Sequence, residues 1–139
     1  MEATQRYRVV AWWASGQTGL AKSDSAPNAL HFSAPPEFGG LEGRWTPEDL
    51  LLGAIASCFT TTFRAIAEHS NFEYTDLEVE VEGSLVRAEK GYCMAGIVIR
   101  PSLAIPNEEG RERALTLLQK SKALCPVSRA VHITQELVP

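Results

Sequence analysis

The chain has 139 residues, 45% of them hydrophobic and 22% charged, which suits one domain spanning residues 1–139 with a substantial buried core. Thirteen Lys and Arg against 17 Asp and Glu leave a formal charge of −4. These charges lie in short mixed clusters with no basic face, so nucleic acid is excluded as a partner. The three cysteines, Cys58, Cys93 and Cys125, are too few and too scattered for a disulfide-stapled scaffold.

The N-terminal MEATQRYRVV lacks the apolar core and small-residue cleavage site of a secretory signal. The longest apolar run, LLLGAIASCF from Leu51, is about ten residues against the roughly 20 that span a bilayer. Both features place the chain in the cytoplasm, away from membranes. The first third then reads as strands, RYRVVAWWA from Arg6, TGLAKSD from Thr18 and ALHFSA from Ala29, separated by turn residues. GQTGLAKS superficially resembles a phosphate loop, but Ala21 stands where that loop needs glycine, and the nucleotide reading fails. PPEFGGLEG, from Pro35 to Gly43, is too rich in proline and glycine for regular structure.

WTPEDL opens a long helix. Thr46 is a good N-cap, Pro47 fits the first helical position, and Glu48 and Asp49 suit the positive end of the helix dipole. Apolar residues at Leu51, Ile55, Phe59, Phe63 and Ile66, with Cys58 and Thr62 beside them, carry the helical period from Thr46 to about Asn71. DLEVEVEGSLV from Asp76 alternates acidic and apolar residues as a half-buried antiparallel strand does, and YCMAGIVIRPSLAI from Tyr92 completes a hairpin. NEEGRERALTLLQKSKAL predicts a second helix opening at Asn107, with Ala114, Leu117, Leu118, Ser121 and Leu124 on its apolar side. CPVSRA follows as a short helix and VHITQELVP as a last strand. The order is that of an α+β protein rather than an alternating βαβ one.

Three residues bear on chemistry. Pro126 fits the first turn of a new helix, which puts Cys125 at or near its N-cap, where free backbone amides lower a thiol pKa. The same position also suits a small apolar cap residue. Cys58 lies mid-helix, away from either dipole end, and reads as a core residue unless a cation activates it. Glu48 stands ten positions before Cys58. Ten helical residues rise about 15 Å and turn through about 1000°, so Glu48 and Cys58 of one chain cannot act together, and a joint role needs a second subunit. Cys93, among apolar strand residues, reads as a buried filler. His31, His69 and His132 show no metal-ligand spacing, so no metal or cofactor is expected.

TPEDLLLGAIASCF followed late in the chain by ALCPVSRAV resembles the OsmC/Ohr family of osmotically inducible and organic hydroperoxide resistance proteins. The shared features are the Pro-Glu-Asp-Leu helix start, a cysteine ten residues after the glutamate, and a later Cys-Pro pair, here at Glu48, Cys58 and Cys125. The resemblance implies antiparallel sheets packed around a long central helix, in an intertwined homodimer with its reactive site at the subunit interface. It also implies a cysteine-based peroxidase in oxidative stress defence. Cys58 attacks the O–O bond of an organic hydroperoxide and becomes a sulfenic acid, Cys125 condenses with it to a disulfide, and an external dithiol reduces that bond.

One family feature is missing. An arginine that pairs with the glutamate and holds the first cysteine as thiolate is expected in the N-terminal strands or the following loop, where this chain has Gln17 and Phe38. Arg44 is the nearest substitute, with Arg64 and Arg129 further off. Leu51, Leu52, Ile55, Phe59 and Phe63 around Cys58 suit an apolar substrate tail. The alternative is a non-catalytic protein of the same fold that binds a small apolar ligand.

Overall fold

The computed structural model describes residues 5–132 and 135–139, and the chain divides into two compact units, Met1–Leu50 and Leu51–Pro139. In the first unit, β1 (Val9–Ser15), β2 (Thr18–Ser23) and β3 (Leu30–Phe32) form an antiparallel sheet in that order. Every residue of β1 is exposed, including Trp12 and Trp13. The segment after β3 contains one 3-10 turn, Pro36–Phe38, in a stretch whose composition predicted no regular structure. The fully buried Ser33 holds this loop by accepting the Leu41 amide on its hydroxyl at 2.9 Å.

The long helix, α1 (Pro47–His69), starts where its composition dictates. The Thr46 hydroxyl accepts the Asp49 amide at 3.1 Å, and Asp49 Oδ2 accepts the Thr46 amide at 3.0 Å. This reciprocal cap satisfies two donors that the first turn otherwise leaves open. At the other end Asn71 takes the left-handed conformation, φ 51°, and the Phe72 amide reaches back to Ala67 O at 2.8 Å. Asparagine tolerates that φ, and the bond stops the helix.

In the second unit α1 buries Ile55, Phe59, Phe63 and Ala67, spaced four apart along one face. They pack with Phe72, Ile97, Ile99, Ala114, Leu117 and Leu118 into one core. By length and composition alone α1 is apolar enough to cross a bilayer, with mean hydropathy 1.5 over 18 residues, although its longest unbroken apolar run suggests otherwise. A core helix meets the same criterion, and this one contributes its buried face to the core.

β4 (Asp76–Ala88) and β5 (Gly91–Ala104) form the expected antiparallel hairpin. Arg100 of β5 pairs with Glu80 and Glu82 on the acidic face, at 3.1 Å each. The register breaks after Glu82, where Gly96 of β5 adopts φ 65°. This is the left-handed glycine of a bulge. Gly83 opposite cannot carry a side chain without displacing neighbours, since a Cβ there would stand 2.9 Å from Met94 and 3.1 Å from Leu52 of α1.

Three expectations need correction in this unit. The second helix does not open at Asn107, whose side chain makes no cap bond; a 3-10 turn, Glu108–Gly110, comes first and α2 covers Arg111–Leu124. Gly110, a poor helix former, falls at this junction. Ala114, Leu117, Leu118 and Ser121 are buried as their spacing predicts, but Leu124 is 47% exposed because the helix ends there at Cys125. Lastly, the sheet is not wholly antiparallel. β6 (Gln135–Leu137) runs parallel to β5, pairing Ile97 with Gln135 and Ile99 with Leu137. Parallel neighbours need a crossover connection, which the segment containing α2 and the helix at Pro126–Ala130 supplies between β5 and β6. Of the predicted last strand, residues 133 and 134 lie outside the described residues.

Candidate active site formed by two cysteines

The second unit brings Cys58 and Cys125 together, although they stand 67 positions apart in the chain (125 − 58 = 67). Cys58 is half-buried on α1, one residue before the core residue Phe59. Cys125 is fully buried and is the N-cap of α3 (Pro126–Ala130). Both are free thiols, and each alters the ionisation of the other.

Their surroundings differ, and so do their acidities. Burial raises the Cys58 thiol pKa, and the neighbouring Cys125, through its thiol and its charge, raises it further. The Val127 amide and the Thr62 hydroxyl, 3.9 Å from the sulfur, pull the other way without overcoming this. Burial also works against ionisation of Cys125. There it is outweighed by the Ser128 hydroxyl, the Cys58 thiol and the amides of Ser128 and Val127, and the Cys125 pKa ends below its ordinary value. Pro126 has no N–H, so Val127 and Ser128 supply the first free amides of α3. Of the two thiols, Cys125 is therefore the one that gives up its proton more readily.

The leading influences on Cys58 include no cation. Arg44, Arg64 and Arg129 are exposed, as is Gln17, and Phe38 is 48% exposed. Glu48 occupies the second position of α1 in the first unit, where its Oε1 is buried and has no hydrogen-bond partner among the described residues. Of the apolar residues expected to line a substrate path, Ile55, Phe59 and Phe63 are fully buried in the core, which leaves Leu51 and Leu52 partly exposed. One α-helix cannot present all five to the core and to a ligand at once. Cys93, expected as a buried filler, is exposed on the β5 arm opposite Val86. Among the described residues no three His, Cys, Asp or Glu side chains converge as a metal site requires.

Thr62, Ser128 and Gln135 complete this constellation and were not singled out from the sequence. Thr62 stands four residues after Cys58 on the same helix, and Ser128 three after a helix cap. Both spacings place side chains together. Gln135 carries no local signal, since it reaches α3 only through sheet pairing. Its Nε2 donates to Ser128 O at 2.9 Å and to Val131 O at 3.4 Å.

Residues 40–137 match the family described as OsmC-like protein. The chain belongs to the OsmC-like family. It is 30% identical over 139 residues to an uncharacterized protein, YmaD, of Bacillus subtilis, covering 97% of this chain and 92% of that one. It is 28% identical to the peroxiredoxin OsmC of Escherichia coli over 116 residues, covering 84% of this chain and 80% of that protein. A solved organic hydroperoxide resistance protein OsmC from Legionella pneumophila superposes with a TM-score of 0.78 at 25% identity, covering 98% of this chain and 97% of the other. Some members of the family thus carry peroxiredoxin or hydroperoxide resistance names.

Proposed function

We propose that this OsmC-like chain is a thiol peroxidase that reduces organic hydroperoxides. The observation that carries the reading is the proximity of Cys58 and Cys125, near enough for each to alter the ionisation of the other. The more accessible Cys58 meets the peroxide, and the Cys125 thiolate beside it takes up the Cys58 proton as that sulfur attacks. The Cys58 sulfur bonds to the terminal oxygen, the O–O bond breaks, and the alcohol leaves with a proton, giving the Cys58 sulfenic acid. Cys125 then displaces water from that sulfur and forms the disulfide. An external dithiol reduces the bond by exchange and is itself oxidised to a disulfide.

We further propose that the chain works as a single domain in a cytoplasmic homodimer. Large apolar side chains left exposed on one chain, among them Trp12, Trp13, Trp45 and Val86, support burial against another copy. The buried, unpartnered Glu48 Oε1 supports a donor arriving from outside the described residues. A second reading, a non-catalytic binder of a small apolar ligand, is favoured by one observation, the raised pKa of Cys58 with no cation among its leading influences.

Thiol counting separates the two. Reduced protein is treated with one equivalent of an organic hydroperoxide and linked peptides are mapped by mass spectrometry, in wild type and in Cys58→Ser. Rapid loss of two thiols with a Cys58–Cys125 link, absent in the variant, is expected. Thiols lost only at the rate of free cysteine would refute the peroxidase reading.

A further inference from the structure

Ser128 is 6% exposed, and its Oγ is buried with no hydrogen-bond partner among the described residues. A buried hydroxyl left unpaired costs stability, and the group it stands beside is the Cys125 sulfur, whose ionised form it favours. Cys125 is the N-cap of the turn in which Ser128 is the third residue, a spacing that turns the two side chains toward each other. The turn is held in place from both ends. The Arg129 amide donates to Cys125 O at 3.0 Å, and Gln135 Nε2 from β6 donates to Ser128 O at 2.9 Å.

We propose that the Ser128 hydroxyl is a positioning group for Cys125, donating to its sulfur when that sulfur departs as thiolate, so that reduction of the Cys58–Cys125 disulfide begins by attack on Cys58. The step balances. The thiolate of an external dithiol bonds to Cys58 Sγ, the S–S bond breaks, and Cys125 leaves with the electron pair. The reductant's second thiol then displaces Cys58, which takes up a proton, and the reductant ends as a disulfide. Exposure and leaving ability point the same way: Cys58 is half-buried and open to a partner thiol, while Cys125 is fully buried beside the Ser128 hydroxyl and the amides of Val127 and Ser128. The titratable side chain facing Cys125 from α1 is Cys58; Lys122 of α2 and Arg129 of α3 line a shallow hollow with Ser128 and Gln135.

The place of this step in a catalytic cycle rests on the peroxidase reading, but its tests use no hydroperoxide. Protein carrying Cys93→Ser is oxidised with diamide and treated with limiting 2-mercaptoethanol. It is then quenched in acid, alkylated and mapped by mass spectrometry. The mercaptoethanol adduct is expected on Cys58 with Cys125 alkylated; an adduct on Cys125, or failure of diamide to link the pair, overturns the proposal. This measurement keeps Ser128 and so does not depend on how a variant folds.

In Ser128→Ala the reduction of the linked protein by dithiothreitol at neutral pH is expected to slow roughly tenfold, the order set by loss of one hydrogen bond to a charged group. Thiolate absorbance at 240 nm, followed in a Cys58→Ser background, is expected to appear at higher pH in the Ala variant and to be restored by Ser128→Thr. Unchanged reduction and titration in Ser128→Ala overturn the proposal even where hydroperoxide still links the pair. Conversely, a hydroperoxide that oxidises no thiol sinks the peroxidase reading and leaves these readouts standing.

Discussion

Oxidation of the cysteine pair should change the stability of the fold by an amount that the chain length sets. A Cys58–Cys125 bond spans 67 positions. Closing a loop of that size removes unfolded-state entropy equivalent to about 4 kcal/mol at room temperature in the chain-entropy model. Any strain in the oxidised site subtracts from this, and a bond that a dithiol must open is expected to carry some. With a urea m-value of about 2 kcal/mol/M for a chain of this size, the midpoint should rise by roughly 1–2 M. Circular dichroism at 222 nm is the suitable probe because α1 and α2 dominate it, whereas all three tryptophans, Trp12, Trp13 and Trp45, lie in the first unit. Diamide-oxidised and fully reduced samples are compared, with Cys58→Ser carried through the same oxidation. A midpoint that does not rise, or that rises equally in Cys58→Ser, would refute the argument that these two sulfurs can bond without disrupting the second unit.

Three further outcomes follow from the same structure. Phe59 is fully buried in the core, so Phe59→Ala should cost about 3–5 kcal/mol, read as a lowered denaturation midpoint. Asp49 is exposed, and Asp49→Ala removes the acceptor of the Thr46 amide, so it should cost only about 1 kcal/mol; Thr46→Ala removes the acceptor of the Asp49 amide, and combining the two should add a further loss of similar size. The two thiols should titrate in opposite directions. In Cys93→Ser, iodoacetamide modification of Cys58 should keep rising with pH beyond the range of a free cysteine, while the first thiolate absorbance to appear should vanish in Cys125→Ser. The signs extend to stability: the lowered Cys125 pKa stabilises the fold above the unfolded thiol pKa and is lost as pH falls through the folded value, whereas the contribution of the raised Cys58 is present at low pH and lost as pH rises.

The sequence by itself determined the features that arise within a few residues of one another. Thr46, Pro47 and Asp49 set the start of α1 because cap bonds and proline's fixed φ act within a single turn. The alternation from Asp76 to Val81 placed acidic residues on one face of β4 because successive strand residues point opposite ways. Cys125 before Pro126 marked the start of a helix for the same local reason. The motifs around Glu48, Cys58 and Cys125 carried the resemblance to the family to which the chain belongs.

What only the tertiary structure decided depends on groups distant in sequence. The meeting of Cys58 and Cys125 requires α2 and α3 to return against α1. Which thiol ionises more readily follows from how each is desolvated and which donors reach it, and Ser128 with the Val127 amide favours Cys125. The core claims Ile55, Phe59 and Phe63, because a helix has one face to bury and the remaining residues of an apolar run must look elsewhere. The direction of β6 and the exposure of Cys93 were likewise set by sheet pairing, in which each residue's environment is made by a strand that its own neighbours in sequence do not specify.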